Sequence, residues 1–76
     1  MVKCVSLLGS TGSIGRQSLD IISHLPEIRV AALTAGTNVE RMAQQCRDFQ
    51  PELAVMATRE AAAQLQVAIS DLNIRI

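Results

Sequence analysis

Short apolar runs bounded by glycine, proline or polar residues recur along the chain, and they predict β-strands. Three such runs cover residues 2–8, 28–34 and 53–57. The first run is apolar on both faces, which is typical of a parallel strand that is covered on both sides. A further run, from Ile74 to Ile76, has the pattern of a fourth strand at its start.

Between these runs, apolar residues recur three and four positions apart, which predicts α-helices. The first helix runs from about Ser13 to His24 and is closed by Pro26. The second and third begin behind Asn38 and Thr58, which are residue types that cap helix N-termini. The predicted buried faces are Ile14, Ser18, Ile21 or Ile22 and Leu25 in the first helix; Val39, Met42, Ala43, Cys46 and Phe49 in the second; and Ala61, Leu65, Ala68 or Ile69 and Leu72 in the third.

The resulting order, β-α-β-α-β-α-(β), predicts an α/β fold with a parallel sheet and right-handed crossovers. It is typical of the N-terminal half of a doubly wound, Rossmann-type domain. The 76 residues hold at most one small domain. Because such a domain normally has a second half, we expect residues 1–76 to be the N-terminal part of a longer protein, with its later domains absent.

The junction of the first strand and the first helix carries Gly9, Gly12 and Gly15, spaced G-x-x-G-x-x-G. Strand, glycine turn and helix N-terminus in this order predict a site for the pyrophosphate of a dinucleotide. The first glycine permits the turn, the second lets the backbone approach the phosphates, and the third lets the helix pack on the strand. The candidate hydroxyl donors are Ser10, Thr11 and Ser13. The alternative is a glycine-rich turn that binds no ligand.

The segment after the second predicted strand, residues 35–38, contains no carboxylate. An NAD site usually places Asp or Glu there to bind the ribose 2′-hydroxyl, and a carboxylate would repel a 2′-phosphate. The sequence therefore favours NADP, with the amides of Gly36 and Thr37, the Thr37 hydroxyl and the Asn38 side chain as phosphate donors. Ordinary turn and capping chemistry is the alternative for these residues, and Arg41 fits a solvated surface arginine better than a ligand.

The composition argues against other kinds of partner. Seven basic and seven acidic residues give a net charge of zero and form no basic patch, so we expect no nucleic-acid partner. No apolar run is long enough to span a membrane, and the phosphate loop of ATP- and GTP-hydrolysing enzymes is absent.

No catalytic or metal site is predicted within the chain. Cys4 and Cys46 lack the spacing of a zinc or redox motif and are interpreted as small buried hydrophobes in a reducing compartment. His24 is interpreted as a helix-end or surface residue. Since no carboxylate pair, triad or metal cluster can be assembled, any catalysis must use residues beyond Ile76.

Two segments, L-G-S-T-G-S-I-G at residues 8–15 and Q-S-L-D-I-I at residues 17–22, resemble the N-terminus of the 1-deoxy-D-xylulose 5-phosphate reductoisomerases. Further matches lie at residues 29–33 and 35–39 and at Ala54-Val55. The resemblance covers essentially the whole chain, and the family's proteins are several times longer. It implies that this chain is only the first part of such an enzyme, with no activity of its own expected.

The resemblance implies that the full-length protein rearranges 1-deoxy-D-xylulose 5-phosphate and reduces it with NADPH to 2-C-methyl-D-erythritol 4-phosphate, an isoprenoid precursor. A magnesium or manganese ion would hold the sugar-phosphate substrate through ligands outside this chain. The implied NADPH contacts are Thr11, Gly12, Ser13 and Ile14 at the pyrophosphate, and Gly36, Thr37 and Asn38 at the 2′-phosphate. The family often carries Lys or Ser at the position of Thr37, so that contact lacks a charge here.

The resemblance also implies a homodimer in the bacterial cytoplasm, or in a plastid if the native N-terminus lies further upstream. Two other readings of the glycine turn stay open from the residues alone. One is another NADP-dependent oxidoreductase, of the extended short-chain or semialdehyde dehydrogenase type, and the other is a non-catalytic nucleotide-sensing module. A later acidic cluster would indicate the reductoisomerase, and a later Tyr-x-x-x-Lys the short-chain dehydrogenase.

Overall fold

A three-stranded parallel sheet with a helix after each strand forms the centre of the computed structural model, which describes residues 3–76. The strands lie in the order β1-β2-β3 and are β1 (Lys3–Leu8), β2 (Ile28–Ala35) and β3 (Leu53–Met56). The helices are α1 (Ser13–Ile22), α2 (Val39–Phe49) and α3 (Arg59–Ala68). The predicted order of elements and the parallel sheet are confirmed, while residue 2, assigned to the first strand, lies outside the described residues.

The last residues add one pairing to this sheet. Arg75 forms a single parallel bridge with Leu53, and its carbonyl oxygen accepts from the amide nitrogen of Ala54 at 2.8 Å. The bridge lies beside β3, at the edge of the sheet opposite β1. The predicted fourth strand is therefore present only as its first contact.

Most of the core is formed by β2, β3 and the two later helices, and Leu19 of α1 adds to it. Its fully buried side chains include Leu33 on β2, Met42 and Cys46 on α2, and Leu65 on α3, all with no exposed surface. The helices α2 and α3 also pack on each other. The faces predicted for these helices are confirmed, with Ile69 rather than the exposed Ala68 completing the third.

The buried face of α1 differs from the predicted one. Ile14 and Ile21 are 78% and 62% exposed, whereas Gly15 and Leu19 are buried and Ile22 is partly buried. The difference follows from the glycine, because α1 lies so close to the turn before it that only a residue without a side chain fits there. This contact fixes the rotation of the helix and carries Ile14 to the solvent side.

One face of β1 is uncovered by the described residues, contrary to the prediction. Val5 and Leu7 pack against the core, but Cys4, Ser6 and Leu8 are exposed, Leu8 at 79%. Alternate residues of a strand point to opposite faces, so an uncovered face exposes every second side chain. The interpretation of Cys4 as a buried hydrophobe is therefore wrong, and that of Cys46 is confirmed.

Burial raises the pKa of the Cys46 thiol from 9.0 to about 11. The unfolded chain therefore loses this proton at lower pH than the folded protein, so we expect stability present below pH 9 to decline as the pH rises through 11. Urea unfolding at several alkaline pH values measures this change in the free energy of unfolding. Its decline with pH should be steeper in the unchanged protein than in Cys46→Ala, by up to about 1.4 kcal/mol per pH unit. Cys4→Ala, at an exposed thiol, should keep the steep decline; equal slopes in all three proteins would contradict the expectation.

Candidate functional site

The two predicted phosphate-binding segments leave the sheet at the same edge. Leu8, the last residue of β1, is in register with Thr34 near the end of β2. The glycine turn follows the first strand and residues 36–38 follow the second. The amide nitrogen of Ala57, just after β3, also donates to the Gly36 carbonyl oxygen at 3.0 Å. The predicted residues are thus brought together at the carboxyl ends of the strands, where ligands bind in open parallel sheets.

The glycine turn has the geometry that its sequence predicts. Gly9 has a φ of +70°, a left-handed conformation that residues with a side chain rarely adopt. Its carbonyl oxygen accepts from the Gly12 amide nitrogen at 3.1 Å. A Cβ atom added to Gly15 would lie 2.7 Å from the Cα atom of Ser10 and closer still to the Gly9 carbonyl oxygen. Two of the three glycines are therefore required by the folded chain itself.

Gly12 is different, because the chain leaves room for a side chain there. Its backbone is extended, and an added Cβ atom would meet only the Gly9 carbonyl oxygen, at an ordinary contact distance of 3.5 Å. Packing within residues 3–76 therefore gives no reason for glycine at this position. A ligand that must approach the backbone closely does give one.

The N-terminus of α1 has no side-chain cap. Its N-cap residue is Gly12, whereas the Asn38 Oδ1 atom accepts from the Arg41 amide at the start of α2, and Thr58 Oγ1 accepts from the Ala61 amide at the start of α3, each at 3.1 Å. The first turn of α1 also contains no acidic residue. The amides of Ser13 and Ile14 are therefore left to an outside acceptor, and the helix dipole favours an anion there.

The side chains of the turn divide into exposed and buried ones. Gly12, Ser13 and Ile14 are exposed and Thr11 is half-buried, so the surface over the helix N-terminus is open. Ser10 is fully buried, and its hydroxyl has no hydrogen-bond partner among the described residues. The prediction that the Ser10 hydroxyl donates to phosphate is therefore wrong.

The second segment also presents its donors to solvent. Gly36, Thr37 and Asn38 are all exposed, and a Cβ atom added to Gly36 would meet nothing within 4 Å. Asn38 uses its Oδ1 atom to cap α2, which leaves its amide NH₂ group to donate elsewhere. The acidic residue nearest in sequence, Glu40, lies in the first turn of α2. The role of these residues as phosphate ligands stays a prediction.

Sequence reasoning missed Gln45, which the structure places beneath the turn. This residue of α2 is 7% exposed, and its Nε2 atom donates to the Ser10 carbonyl oxygen at 2.7 Å. One signal for it was present in the sequence, because Gln45 lies at helical spacing between Met42 and Phe49 on the apolar face. A polar residue in such a position needs a partner once it is buried.

Arg47 and Asp71 form an ion pair that serves packing. Arg47 of α2 pairs with Asp71 through two contacts of 2.8 and 3.0 Å and also donates to the Ala68 carbonyl oxygen at 2.9 Å. The hydrogen bonds from the arginine hold the pKa of Asp71 below its usual value, and both side chains are exposed. This pair joins α2 to the end of α3. His24 is exposed beside the Asp20 carbonyl oxygen, as its helix-end interpretation predicts.

Within residues 3–76, no three His, Cys, Asp or Glu side chains come together as a metal site requires. None of the three described helices has the length and apolar character needed to cross a membrane. At one edge of the sheet, this part of the chain presents amide and hydroxyl donors.

Known proteins match this chain over nearly its whole length. A family model for 1-deoxy-D-xylulose 5-phosphate reductoisomerase matches residues 5–76. A reductoisomerase of that name from Nostoc sp. PCC 7120 is 50% identical over 74 residues, covering 96% of this chain and 18% of the relative. Its counterpart from Thermosynechococcus vestitus is 49% identical over 73 residues. The chain thus spans about a fifth of the length of the curated relatives it matches.

Solved structures of 1-deoxy-D-xylulose 5-phosphate reductoisomerases share the fold of this chain. The reductoisomerase from Zymomonas mobilis in complex with NADPH superposes with a TM-score of 0.93 at 33% identity, covering 99% of this chain and 20% of that one. A reductoisomerase bound to NADPH, fosmidomycin and magnesium gives a TM-score of 0.91 at 31% identity, covering 99% and 19%. Because the family model covers nearly the whole chain, this chain belongs to the 1-deoxy-D-xylulose 5-phosphate reductoisomerase family.

Proposed function

We propose that residues 1–76 are the N-terminal part of the NADPH-binding domain of a longer reductoisomerase, and that they bind the pyrophosphate and the 2′-phosphate of the cofactor. The observation that carries the proposal is the uncapped N-terminus of α1 behind Gly12, where the chain leaves space over exposed amides. The solved relatives bound to NADPH support the choice of cofactor.

At the pyrophosphate, the amides of Ser13 and Ile14 donate to phosphate oxygens, with the dipole of α1 adding partial positive charge. The hydroxyls of Thr11 and Ser13 add two donors that can rotate toward the ligand. Gly12 contributes by having no side chain. These groups bind and orient the cofactor, which supplies the hydride for the reduction when it is bound.

At the 2′-phosphate, the donors are the amides of Gly36 and Thr37, the Thr37 hydroxyl and the amide NH₂ group of Asn38. None of them carries a formal charge, so binding here depends on several hydrogen bonds to a charged acceptor rather than on an ion pair. Both strand ends lie at one edge of the sheet, so one extended dinucleotide can reach both sets of donors.

We expect the complete protein to prefer NADPH to NADH. Thr37→Asp should reduce that preference by about tenfold, because repulsion between the new carboxylate and the 2′-phosphate costs about 1.4 kcal/mol of binding free energy. Steady-state Michaelis constants for both cofactors measure the ratio. Thr37→Ser keeps the hydroxyl and should keep the preference. Equal use of NADH by the unchanged protein would show that the assignment of residues 36–38 is wrong.

In this proposal the rest of the reaction belongs to other parts of the protein. The substrate is 1-deoxy-D-xylulose 5-phosphate, the product is 2-C-methyl-D-erythritol 4-phosphate, and the ligands of the magnesium or manganese ion are expected outside residues 3–76, which bring no such group together. We also propose a homodimer acting in the bacterial cytoplasm.

The experiment is an assay of the complete protein with 1-deoxy-D-xylulose 5-phosphate, NADPH and magnesium, following the loss of NADPH absorbance. We expect substrate-dependent oxidation by the complete protein and none by residues 1–76 alone. Half of a cofactor site cannot hold the nicotinamide against the substrate carbonyl, and that alignment supplies much of the rate. Turnover by the isolated chain, or none by the complete protein, would overturn the proposal.

A further inference from the structure

Two elements of the fold, β2 and α2, form hydrogen bonds to the backbone of Ser10 and so hold the peptide group between Ser10 and Thr11. The amide nitrogen of Ser10 donates to the Thr34 carbonyl oxygen of β2 at 2.8 Å, and the Ser10 carbonyl oxygen accepts from Gln45 Nε2 of α2 at 2.7 Å. Ser10 is fully buried and Gln45 is 7% exposed. The hydrogen bond from Gln45 is therefore shielded from water, and it joins residues 35 positions apart in the chain.

The direction of this carbonyl group fixes the direction of the next amide. A trans peptide group is planar, with its C=O and N–H bonds pointing to opposite sides. Because the Ser10 carbonyl points inward to Gln45, the N–H of Thr11 points the opposite way, and no backbone acceptor within residues 3–76 takes it. Rotation of this peptide plane would instead turn a carbonyl oxygen outward, where it would repel a phosphate.

Stability alone does not account for a glutamine at this position. Gln45 Oε1 and the Ser10 hydroxyl are both buried and have no hydrogen-bond partner among the described residues. An unbranched apolar side chain of similar size at position 45 would remove the unpartnered Oε1 atom but would leave the buried Ser10 carbonyl oxygen without its donor, so the two effects on stability oppose each other. What the glutamine provides, and an apolar residue cannot, is a donor to the Ser10 carbonyl.

We propose that Gln45 is a positioning residue for the cofactor: by holding the Ser10 carbonyl inward, it keeps the Thr11 N–H directed toward the pyrophosphate. The proposal rests on the proposed function of the glycine turn. Gln45 acts through the Ser10–Thr11 peptide group and does not itself touch the cofactor. Its influence falls on the pyrophosphate, which NADPH and NADH share, and not on the 2′-phosphate.

The first test compares Gln45→Met with Gln44→Met in the complete protein. Gln44 is exposed on the same helix and donates to Asp48 Oδ1 at 3.0 Å, away from the turn. Loss of one buried hydrogen bond should raise the Michaelis constants for NADPH and NADH by about three- to tenfold in Gln45→Met. The ratio of the two Michaelis constants and the melting temperature of Gln45→Met should stay close to the values of the unchanged protein. Gln44→Met should change none of these values.

A second variant, Gln45→Glu, keeps the size of the side chain and makes its donor depend on protonation. The neutral carboxyl donates to the Ser10 carbonyl, whereas the carboxylate repels it. The Michaelis constant for NADPH of Gln45→Glu, divided by that of the unchanged protein, should therefore decrease as the pH is lowered from about 8 to about 6. Gln45 also lines the groove between α1 and α2. The charged groups that line this groove are identical in both proteins, so any effect they have on the Michaelis constant cancels in this ratio. They are Arg16, Asp20, Arg29, Glu40, Arg41 and Asp48.

Three results would overturn the role of Gln45. The first is Michaelis constants for the cofactors in Gln45→Met that equal those of the unchanged protein, and the second is weakened binding that only accompanies a lowered melting temperature. The third is a Michaelis constant of Gln45→Glu, relative to the unchanged protein, that does not depend on pH. In each of these cases NADPH binding by the unchanged protein still supports the proposed function. Failure of the unchanged protein to bind NADPH would instead overturn the proposed function, and with it the inference.

Discussion

Gly15→Ala is expected to be among the most destabilising substitutions in the chain, lowering the free energy of unfolding by about 3 kcal/mol. The added Cβ atom would lie 2.7 Å from Ser10 Cα and 2.9 Å from the Ser10 carbonyl carbon, both backbone atoms. Backbone cannot move aside as a flexible side chain can. Either α1 separates from the turn or the turn itself is displaced, and both disturb the core around Leu19.

Urea unfolding of the complete protein measures this effect, and Gly36→Ala is the matched control. An added Cβ atom at Gly36 meets nothing within 4 Å, and this glycine has no positive φ. We expect the control to stay within about 0.5 kcal/mol of the unchanged protein. If Gly15→Ala were as stable as Gly36→Ala, the close packing of α1 on the glycine turn would be wrong.

Gly12→Val is expected to leave the fold intact and to lower the affinity for the cofactor. The expected loss is between about tenfold and a hundredfold, or about 1.4 to 2.8 kcal/mol of binding free energy. The extended backbone of Gly12 suits a β-branched residue, and its surroundings leave room for a Cβ atom. The side chain would occupy space that a phosphate needs over the Ser13 and Ile14 amides. The same substitution should therefore separate binding from stability.

The measurement is the Michaelis constant for NADPH in the complete protein, together with its melting temperature. Gly12→Ala, which adds a single carbon, should give a smaller increase in the same direction. A folded Gly12→Val protein with unchanged cofactor affinity would exclude this turn as the pyrophosphate site.

The order of elements could be predicted because each has a local signal in the sequence. Asn38 and Thr58 marked the starts of α2 and α3, and both side chains cap their helices in the structure. The spacing of the three glycines predicted both the turn at Gly9, which has a positive φ in the structure, and the close packing at Gly15. These features depend on residues within a few positions of each other, which a sequence pattern can show.

The rotation of α1 could not be predicted, since apolar spacing supported Ile14 as readily as the buried positions. The structure settles it through a contact between Gly15 and the turn, and a residue without a side chain adds nothing to an apolar pattern. The pairing of Gln45 with Ser10 was equally out of reach, because it depends on how α2 packs across the turn. Cys4 was misjudged because the covering of a sheet face depends on what packs on it.

The most direct test of the account is a crystal structure of the complete protein with NADPH bound. We predict pyrophosphate oxygens about 3 Å from the amide nitrogens of Ser13 and Ile14, and the 2′-phosphate at a similar distance from donors of residues 36–38. The Ser10 carbonyl should still point to Gln45. A cofactor whose pyrophosphate lies away from the N-terminus of α1, or whose 2′-phosphate lies away from residues 36–38, would contradict the account.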